Sequence, residues 1–207
     1  MTDGRSLFLE SFMAIVVDKE KKRRQIALSC KDLVIDRGLK DITITQIAKE
    51  AGIAKGSFYD YFENKEDLVF EIVTFLIEEY NAKMSDRLKS IDDIKEKLKV
   101  FASFYYSKDD FELRKLYKEF IAISLTTPNN QMIEFQTKCN DIYRNWLKDM
   151  IQEAIDKGEL DSSVLELTDS FFVTVKGFFI IYEVTHTIDN LQEAIEDYID
   201  TIFKAIK

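Results

Sequence analysis

Glycine and proline are scarce, at 6 Gly and 1 Pro in 207 residues. So few backbone breakers exclude a loop-rich all-β fold and favour helices. Cysteine is as sparse: Cys30 and Cys139 lie far apart on predicted helices, which fits free thiols in an intracellular, cytoplasmic chain better than a disulfide framework. His186 is the only histidine. No Ser/His/Asp set can be drawn around it, and it reads as an interface or core residue. No cysteine–histidine cluster has metal-ligand spacing, and no glycine-rich loop could cradle phosphate. These absences leave no metal, cofactor or enzyme reading with support. No apolar run approaches transmembrane length. The apolar residues Leu7, Phe8, Leu9 and Phe12 are interrupted by Glu10, and no small-residue cleavage site follows, so a signal peptide is not expected. Residues 1–18 read as an N-terminal extension, with Met13 a natural start just before the first helix.

What the chain has is apolar bulk and unevenly spread charge. Apolar residues make up 46% and aromatics 13%, enough for a sizeable core. The net charge is −9, which on its face argues against a nucleic-acid partner. Residues 19–65, however, carry 11 Lys/Arg against 7 Asp/Glu, and the remainder carries 18 against 31. Only the local field matters for phosphate contact. A basic segment ahead of an acidic body is compatible with specific DNA binding and disfavours indiscriminate coating.

Helical periodicity runs throughout, so the fold class expected is all-α. A first helix is predicted from about Lys19 to Arg37, with Ile26, Ala27, Cys30, Leu33 and Val34 on its apolar face and Gly38 as a left-handed stop. Its first turns hold Lys19, Lys21, Lys22, Arg23 and Arg24. Cations there oppose the helix dipole, and phosphate is an outside reward that would offset the cost; a solvated face is the bland alternative. Thr43 is a credible N-cap for a short helix, Ile44 to Ala51, broken at Gly52. A third short helix is expected at about Ala54 to Phe62, and a fourth from Asn64 past Leu76 towards Met84. Further helices end near Lys108, at Thr126-Thr127-Pro128 and at Gly158. The last two are placed at about 163–187 and 190–206.

The segment Thr43 to Lys65 reads TITQIAKEAGIAKGSFYDYFENK. Ala48 is small where two helices must cross, and Gly52 follows four residues later, where the turn needs a permissive backbone. Ile53 and Phe58 supply the apolar contacts that fix one short helix across the other. That spacing is the logic of a helix-turn-helix.

The run Ile47-Ala48, Ala51-Gly52-Ile53, Lys55-Gly56, Phe58-Tyr59, Tyr61-Phe62, Lys65-Glu66 and Leu68 resembles the signature of the TetR (tetracycline-repressor) family of regulators. The resemblance covers about a quarter of the chain with the first helix included. It implies an N-terminal three-helix helix-turn-helix domain over 19–65, joined to a larger helical effector-binding and dimerisation domain over 66–207. It implies DNA contacts from Thr43, Thr45, Lys55, Gly56, Ser57, Tyr59, Tyr61 and Lys65, with Phe58 and Phe62 in the core. Helix N-termini and cations would position the domain, and a few groove residues would specify the site. The sequence departs from the pattern at Ala54, where a Ser or Thr cap is common, and at Asp60, an acid near the DNA face that is expected to face solvent or a neighbouring cation.

In the body, the penultimate helix is apolar on two sides: Val164, Leu167, Phe171, Val175, Phe178 and Tyr182 on one, Val173, Gly177, Ile180, Ile181 and Val184 on the other. A helix buried on both sides in so small a chain suggests a second copy as cover. Phe171, Val175, Phe178, Tyr182, Ile195 and Ile202 are taken as the homodimer interface. Two-fold symmetry then implies a near-palindromic operator read in major grooves about 34–36 Å apart or slightly more. Phe101, Phe104, Tyr105, Tyr117, Phe120, Tyr143 and Trp146 suit a small lipophilic effector and suit an ordinary core as well. Gln136, Thr137 and Asn140 would orient a ligand or face water.

The function expected is a dimeric DNA-binding transcriptional regulator, a repressor released from double-stranded operator DNA by a small molecule. The alternative is a helical ligand-binding or scaffold protein whose reader no longer binds DNA. The acidic body suits that alternative; the intact Lys55, Gly56, Tyr59 and Lys65 argue against it.

Overall fold

The computed structural model describes residues 18–126 and 129–205; over these the chain is helical, without a strand. The expected extension up to residue 17, the break at Thr127-Pro128 and the last residues of the final helix lie outside the described residues. The chain forms two compact units that part between Glu78 and Glu79.

In the first unit, α1 (residues 18–29) is followed by α2 (Lys31–Asp41) and α3 (Ile44–Glu50). A short 3-10 segment, Gly56–Asp60, leads to α4 (Lys65–Lys89), within which the boundary between the units falls. The single first helix expected from Lys19 to Arg37 is in fact interrupted at Cys30 (φ −96°, ψ 0°). There the Cys30 N–H reaches the Ala27 carbonyl, three residues back, at 3.0 Å. Side chains account for the break: the Ser29 hydroxyl donates to the Ile26 carbonyl, and the Cys30 thiol donates to the Ile47 carbonyl of α3. Such local bonds compete with the helix ladder. Gly38 leaves helical dihedrals where the sequence placed the stop (φ 78°, ψ 163°), a region open to glycine and costly for other residues.

The faces predicted to pack do so, though Leu33 on the first is only half-buried. Ile26, Ala27, Cys30 and Val34 are buried with Ile47 and Ala48, and so are Phe58, Phe62, Leu68 and Ile72. Each large side chain removed from water contributes about 1.5–3 kcal/mol. Phe58 and Phe62, with ring centroids 5.4 Å apart, pin the 3-10 segment to this core.

The second unit comprises the remainder of α4, then α5 (Ile94–Ala102), α6 (Phe111–Thr126), α7 (Asn130–Asp156), α8 (Thr168–Val184) and α9 (Leu191–Ala205). Short 3-10 segments at Ser103–Tyr105, Lys108–Asp110 and Ser162–Leu167 join them. Side-chain caps start the helices: Asp93 accepts from the Glu96 N–H, and Asn129 from the Met132 N–H. The penultimate helix expected from Ser163 is α-helical only from Thr168, because Asp161 caps a tighter 3-10 turn whose last bonds run three residues back. The core gathers Leu147, Ile151, Phe171, Val175, Phe179, Ile195 and Ile199.

Candidate nucleic-acid interface and ligand site

Thr43 caps α3 as the sequence led one to expect, in a reciprocal arrangement. Its Oγ1 accepts from the Gln46 N–H at 3.3 Å, and the Gln46 side chain accepts from the Thr43 N–H at 2.9 Å. At its other end, α3 closes on Gly52 (φ 65°). The Ile53 N–H donates to the Ala48 carbonyl and the Gly52 N–H to the Lys49 carbonyl, the paired bonds of a Schellman stop. The small residue, the left-handed glycine and the apolar residue after it therefore make one turn, and that turn sets the direction of the next segment.

That segment is shorter than the helix expected over Ala54–Phe62. Only Gly56–Asp60 is helical, in 3-10 form, and no side chain caps it. Ala54 has no oxygen to cap with, and Phe58 and Phe62 are already committed to the core. One wider turn survives, where the Phe62 N–H donates to the Phe58 carbonyl at 3.0 Å. The result is still polarised: Phe58 and Phe62 point in, while Lys55, Gly56, Tyr59 and Asp60 are exposed and Ser57 and Tyr61 are half-buried. Tyr59 is 57% exposed, unusual for a ring of that size. A Cβ built on Gly56 meets nothing within 4 Å, so this backbone is open to close approach. Thr43 and Thr45 are exposed, and Asp60 faces solvent.

Two cations behave differently from the expectation. Lys65 is half-buried, and its ammonium donates to the carbonyls of Lys40 and Ile42, each at 3.2 Å. It ties the end of α2 to the start of α4, with one N–H left over. Arg23 is turned inward rather than towards phosphate. It donates to Asp67 at 2.7 and 3.1 Å, to Glu71 at 3.0 Å and to the Tyr61 carbonyl at 2.5 Å, and its guanidinium lies 4.4 Å from the Phe62 ring centre. Burial alone would raise the Asp67 pKa; the Arg23 guanidinium and the Glu63 N–H outweigh it and hold the carboxyl below its ordinary value. Arg24 pairs with Glu78. Lys19, Lys21 and Lys22 remain exposed. Charge count along the first helix could not reveal which cations are used internally; the acids at Asp67, Glu71 and Glu78, at helical spacing on α4, were the available signal.

The second unit has an aromatic interior. Tyr105 and Phe120 are buried, and Phe101, Phe104, Tyr117, Tyr143 and Trp146 are partly buried. The rings touch one another in a row. Trp146, Tyr143, Tyr80, Phe104 and Tyr105 follow edge to face at centroid distances of 5.2–6.2 Å, and Tyr117 and Phe179 close its end. Phe120 meets Phe135 edge to face. Much of the expected pocket is thus ring-on-ring packing. An open groove of about 460 Å³ reaches the row at Tyr105 and is lined by Arg114, Lys115 and Lys118 as well as Glu183 and Asp189. Of the polar residues singled out on α7, Gln136 and Asn140 face inward, while Thr137 is exposed and bonded to its own helix.

On the penultimate helix, most of the stripe expected at the interface packs inside the chain instead. Phe171, Val175 and Ile195 are buried inside the chain itself, and Phe178 and Ile202 pack partly against the same core. Of the six residues taken for the interface, only Tyr182 is exposed. The opposite stripe is the open one: Val173 is 66% and Val184 70% exposed, and Ile180 and Ile181 lie bare between them. Two apolar stripes on one helix cannot be ranked from sequence, and the core took the one with the larger rings.

Geometry and composition together define a helix-turn-helix protein with a separate helical unit. Comparison with known proteins sharpens the class. Residues 31–72 match the family described as "Bacterial regulatory proteins, tetR family". The fatty acid metabolism regulator protein of Bacillus subtilis (strain 168) is 29% identical over 147 residues, covering 69% of this chain and 72% of that protein. Across the first curated relatives matched, the chain spans between 35% and 72% of their length. A transcriptional regulator from Saccharomonospora viridis in complex with choline superposes with TM-score 0.71 at 15% identity, over 89% of this chain and 96% of that one. The regulator FadR from Bacillus subtilis in complex with stearoyl-CoA superposes with TM-score 0.61 at 21% identity, over 84% and 96%. The chain belongs to the TetR family of transcriptional regulators.

Proposed function

We propose that the chain acts as a homodimeric repressor that binds a near-palindromic DNA operator and leaves it when a small molecule enters the second unit. DNA contact falls to Thr43, Thr45, Lys55, Gly56, Ser57, Tyr59, Tyr61 and Lys65. The observation that carries this reading is the exposed Lys55-Gly56-Tyr59 edge behind a Schellman turn: a bare ring and a cation on open backbone, held by two buried phenylalanines. Lys55 and Lys65 position on phosphate, and Tyr59 and Ser57 reach base edges or backbone. The chain carries out no catalysis in this account.

A second copy covers the bare stripe of Val173, Gly177, Ile180, Ile181 and Val184. Gly177 has no neighbour within 4 Å of where a Cβ would stand, so two such helices can approach closely. Two neighbours of this fold bind ligands as unlike as stearoyl-CoA and choline, so the fold supports an effector without choosing its chemistry. An effector releases the operator only if it binds the non-binding state more tightly.

The test is capture and sequencing of genomic fragments bound by the purified protein at physiological salt. An enriched palindrome is expected. Fragments recovered without any shared sequence, from a folded protein, would contradict the regulator reading.

A further inference from the structure

The inward face of α7 carries Gln136, Cys139, Asn140 and Tyr143, spaced by three and four residues and so on one side of the helix. The Gln136 amide donates to the Phe120 carbonyl at 3.2 Å, and the Tyr143 hydroxyl donates to Asn81 at 3.0 Å. Between them, the Asn140 Oδ1 accepts a hydrogen bond from the Lys176 ammonium of α8. That ammonium lies 4.6 Å from the Phe172 ring centre and 5.8 Å from that of Tyr117.

Lys176 has no carboxylate partner among the described residues. The titratable groups that face it are Tyr117 from α6 and Cys139 from α7, and both are neutral at pH 7: burial pushes the phenol up to about 12 and raises the thiol. Burial also lowers Lys176 to about 8, so it is still mostly charged at neutral pH. A charge withdrawn from water without a counter-ion is costly. Rings and one amide oxygen offset part of that cost. An anion in the same place would offset it far better, because attraction strengthens where water is excluded.

The competing reading is a cation held by the rings and by Asp110, whose Oδ2 is buried without a partner. Burial raises the Asp110 pKa, and Arg114 and Arg87 both act on it. Burial outweighs the two arginines, which act to lower that pKa, so the carboxyl is pushed towards its neutral form and is a weak partner for a cation.

We propose that Lys176, with Asn140 and Tyr117, anchors the negatively charged head, a carboxylate or a phosphate monoester, of an amphiphilic small molecule. Its apolar part lies along Tyr105 and Phe104, reached from the groove at Tyr105. The proposal rests on the second unit being an effector site and names the chemistry of that effector. Asn140 can serve both groups at once, since its oxygen accepts from Lys176 and its Nδ2 is a donor for the incoming oxygen.

The experiment titrates the full-length protein with dodecanoate, dodecyl phosphate, dodecanol and dodecyltrimethylammonium, each below its micelle concentration. Binding is read by calorimetry and by release of a captured operator fragment. The two anions are expected to bind and release the operator, and the tighter of them identifies the head group. Lys176→Met weakens the anions at least tenfold and leaves dodecanol unchanged, while Lys176→Arg retains a substantial part of the anion affinity. Equal affinity for dodecanol or the ammonium, or unchanged dodecanoate binding in Lys176→Met, overturns the proposal. Dodecanol releasing the operator as well as dodecanoate does would sink the anchor yet leave the effector site standing. No binding of any probe, by protein that still holds its operator, removes both and leaves the DNA reading intact.

Discussion

The Arg23 guanidinium grips the Asp67 carboxylate with two nitrogens, at 2.7 and 3.1 Å, and the same side chain holds the Tyr61 carbonyl at the end of the Gly56–Asp60 segment. One residue of α1 thereby fixes the first turn of α4 and the last turn of the segment that carries Tyr59. A forked guanidinium can bond all these acceptors at once, and a lysine ammonium cannot match that planar geometry.

Replacing Arg23 therefore separates positioning from phosphate contact. Arg23→Gln should weaken operator binding about tenfold or more while leaving the salt dependence of affinity unchanged, because no phosphate contact is lost. Binding measured at several salt concentrations checks this. A shallower salt slope in the variant would return Arg23 to the DNA surface.

The same pair sets a pH dependence. The Asp67 carboxyl is held below its unfolded value, so its contribution to stability is complete above the ordinary carboxylate range and is lost as pH falls through its folded value. Asp67→Ala should cost about 2 kcal/mol at pH 7, the scale of a hydrogen bond to a charged group. Denaturant unfolding of both proteins should show the gap closing at acid pH.

On the proposed DNA face, Tyr59→Ala should abolish tight operator binding with little loss of stability, since the ring is mostly exposed. Lys65→Ala should do more than remove a contact. Its ammonium also satisfies the Lys40 and Ile42 carbonyls, so melting temperature and affinity should fall together. Thermal unfolding alongside operator titration distinguishes the two kinds of loss.

Ile180→Asp places a charge in the middle of the bare stripe on α8. It should leave the monomer folded and shift the protein from dimer to monomer in light scattering, with operator affinity falling as a consequence. An Ile180→Asp protein that remains dimeric would move the interface elsewhere.

Lys176 should cost the unliganded protein stability. Burial lowers its pKa to about 8, below the ordinary lysine value of 10.5. The folded protein therefore sheds this proton first, and stability rises with pH between those values. Lys176→Met should stabilise the protein at pH 7 on the order of 1–2 kcal/mol after allowance for its partial exposure. The advantage should fade as pH approaches 10.5, as denaturant curves at neutral and alkaline pH would show.

The sequence was most informative where one local rule governs each residue. Thr43 as a cap and Gly52 as the break at the turn follow from hydrogen-bonding capacity and backbone freedom, Phe58 and Phe62 as core follow from the family resemblance, and each holds. It was least informative where the outcome depends on which distant groups meet. Arg23 and Lys22 are neighbours with the same charge, yet one is clamped by α4 and the other is exposed. The two stripes of α8 are both apolar, and only packing shows that Phe171 and Val175 face inward while Val173 and Val184 do not. Cys30 interrupts a periodic helix because its thiol finds the Ile47 carbonyl on another element. Nothing in the sequence sets Lys176 apart; only the rings of Phe172 and Tyr117 beside its ammonium do.

The central claim, a two-fold reader of DNA, is tested most directly by a footprint of the purified protein on a captured fragment. Two equivalent protected patches on one face of the duplex, centred about 34–36 Å apart or slightly more, are the predicted result. A single unsymmetrical patch, or protection that ignores sequence, would contradict it.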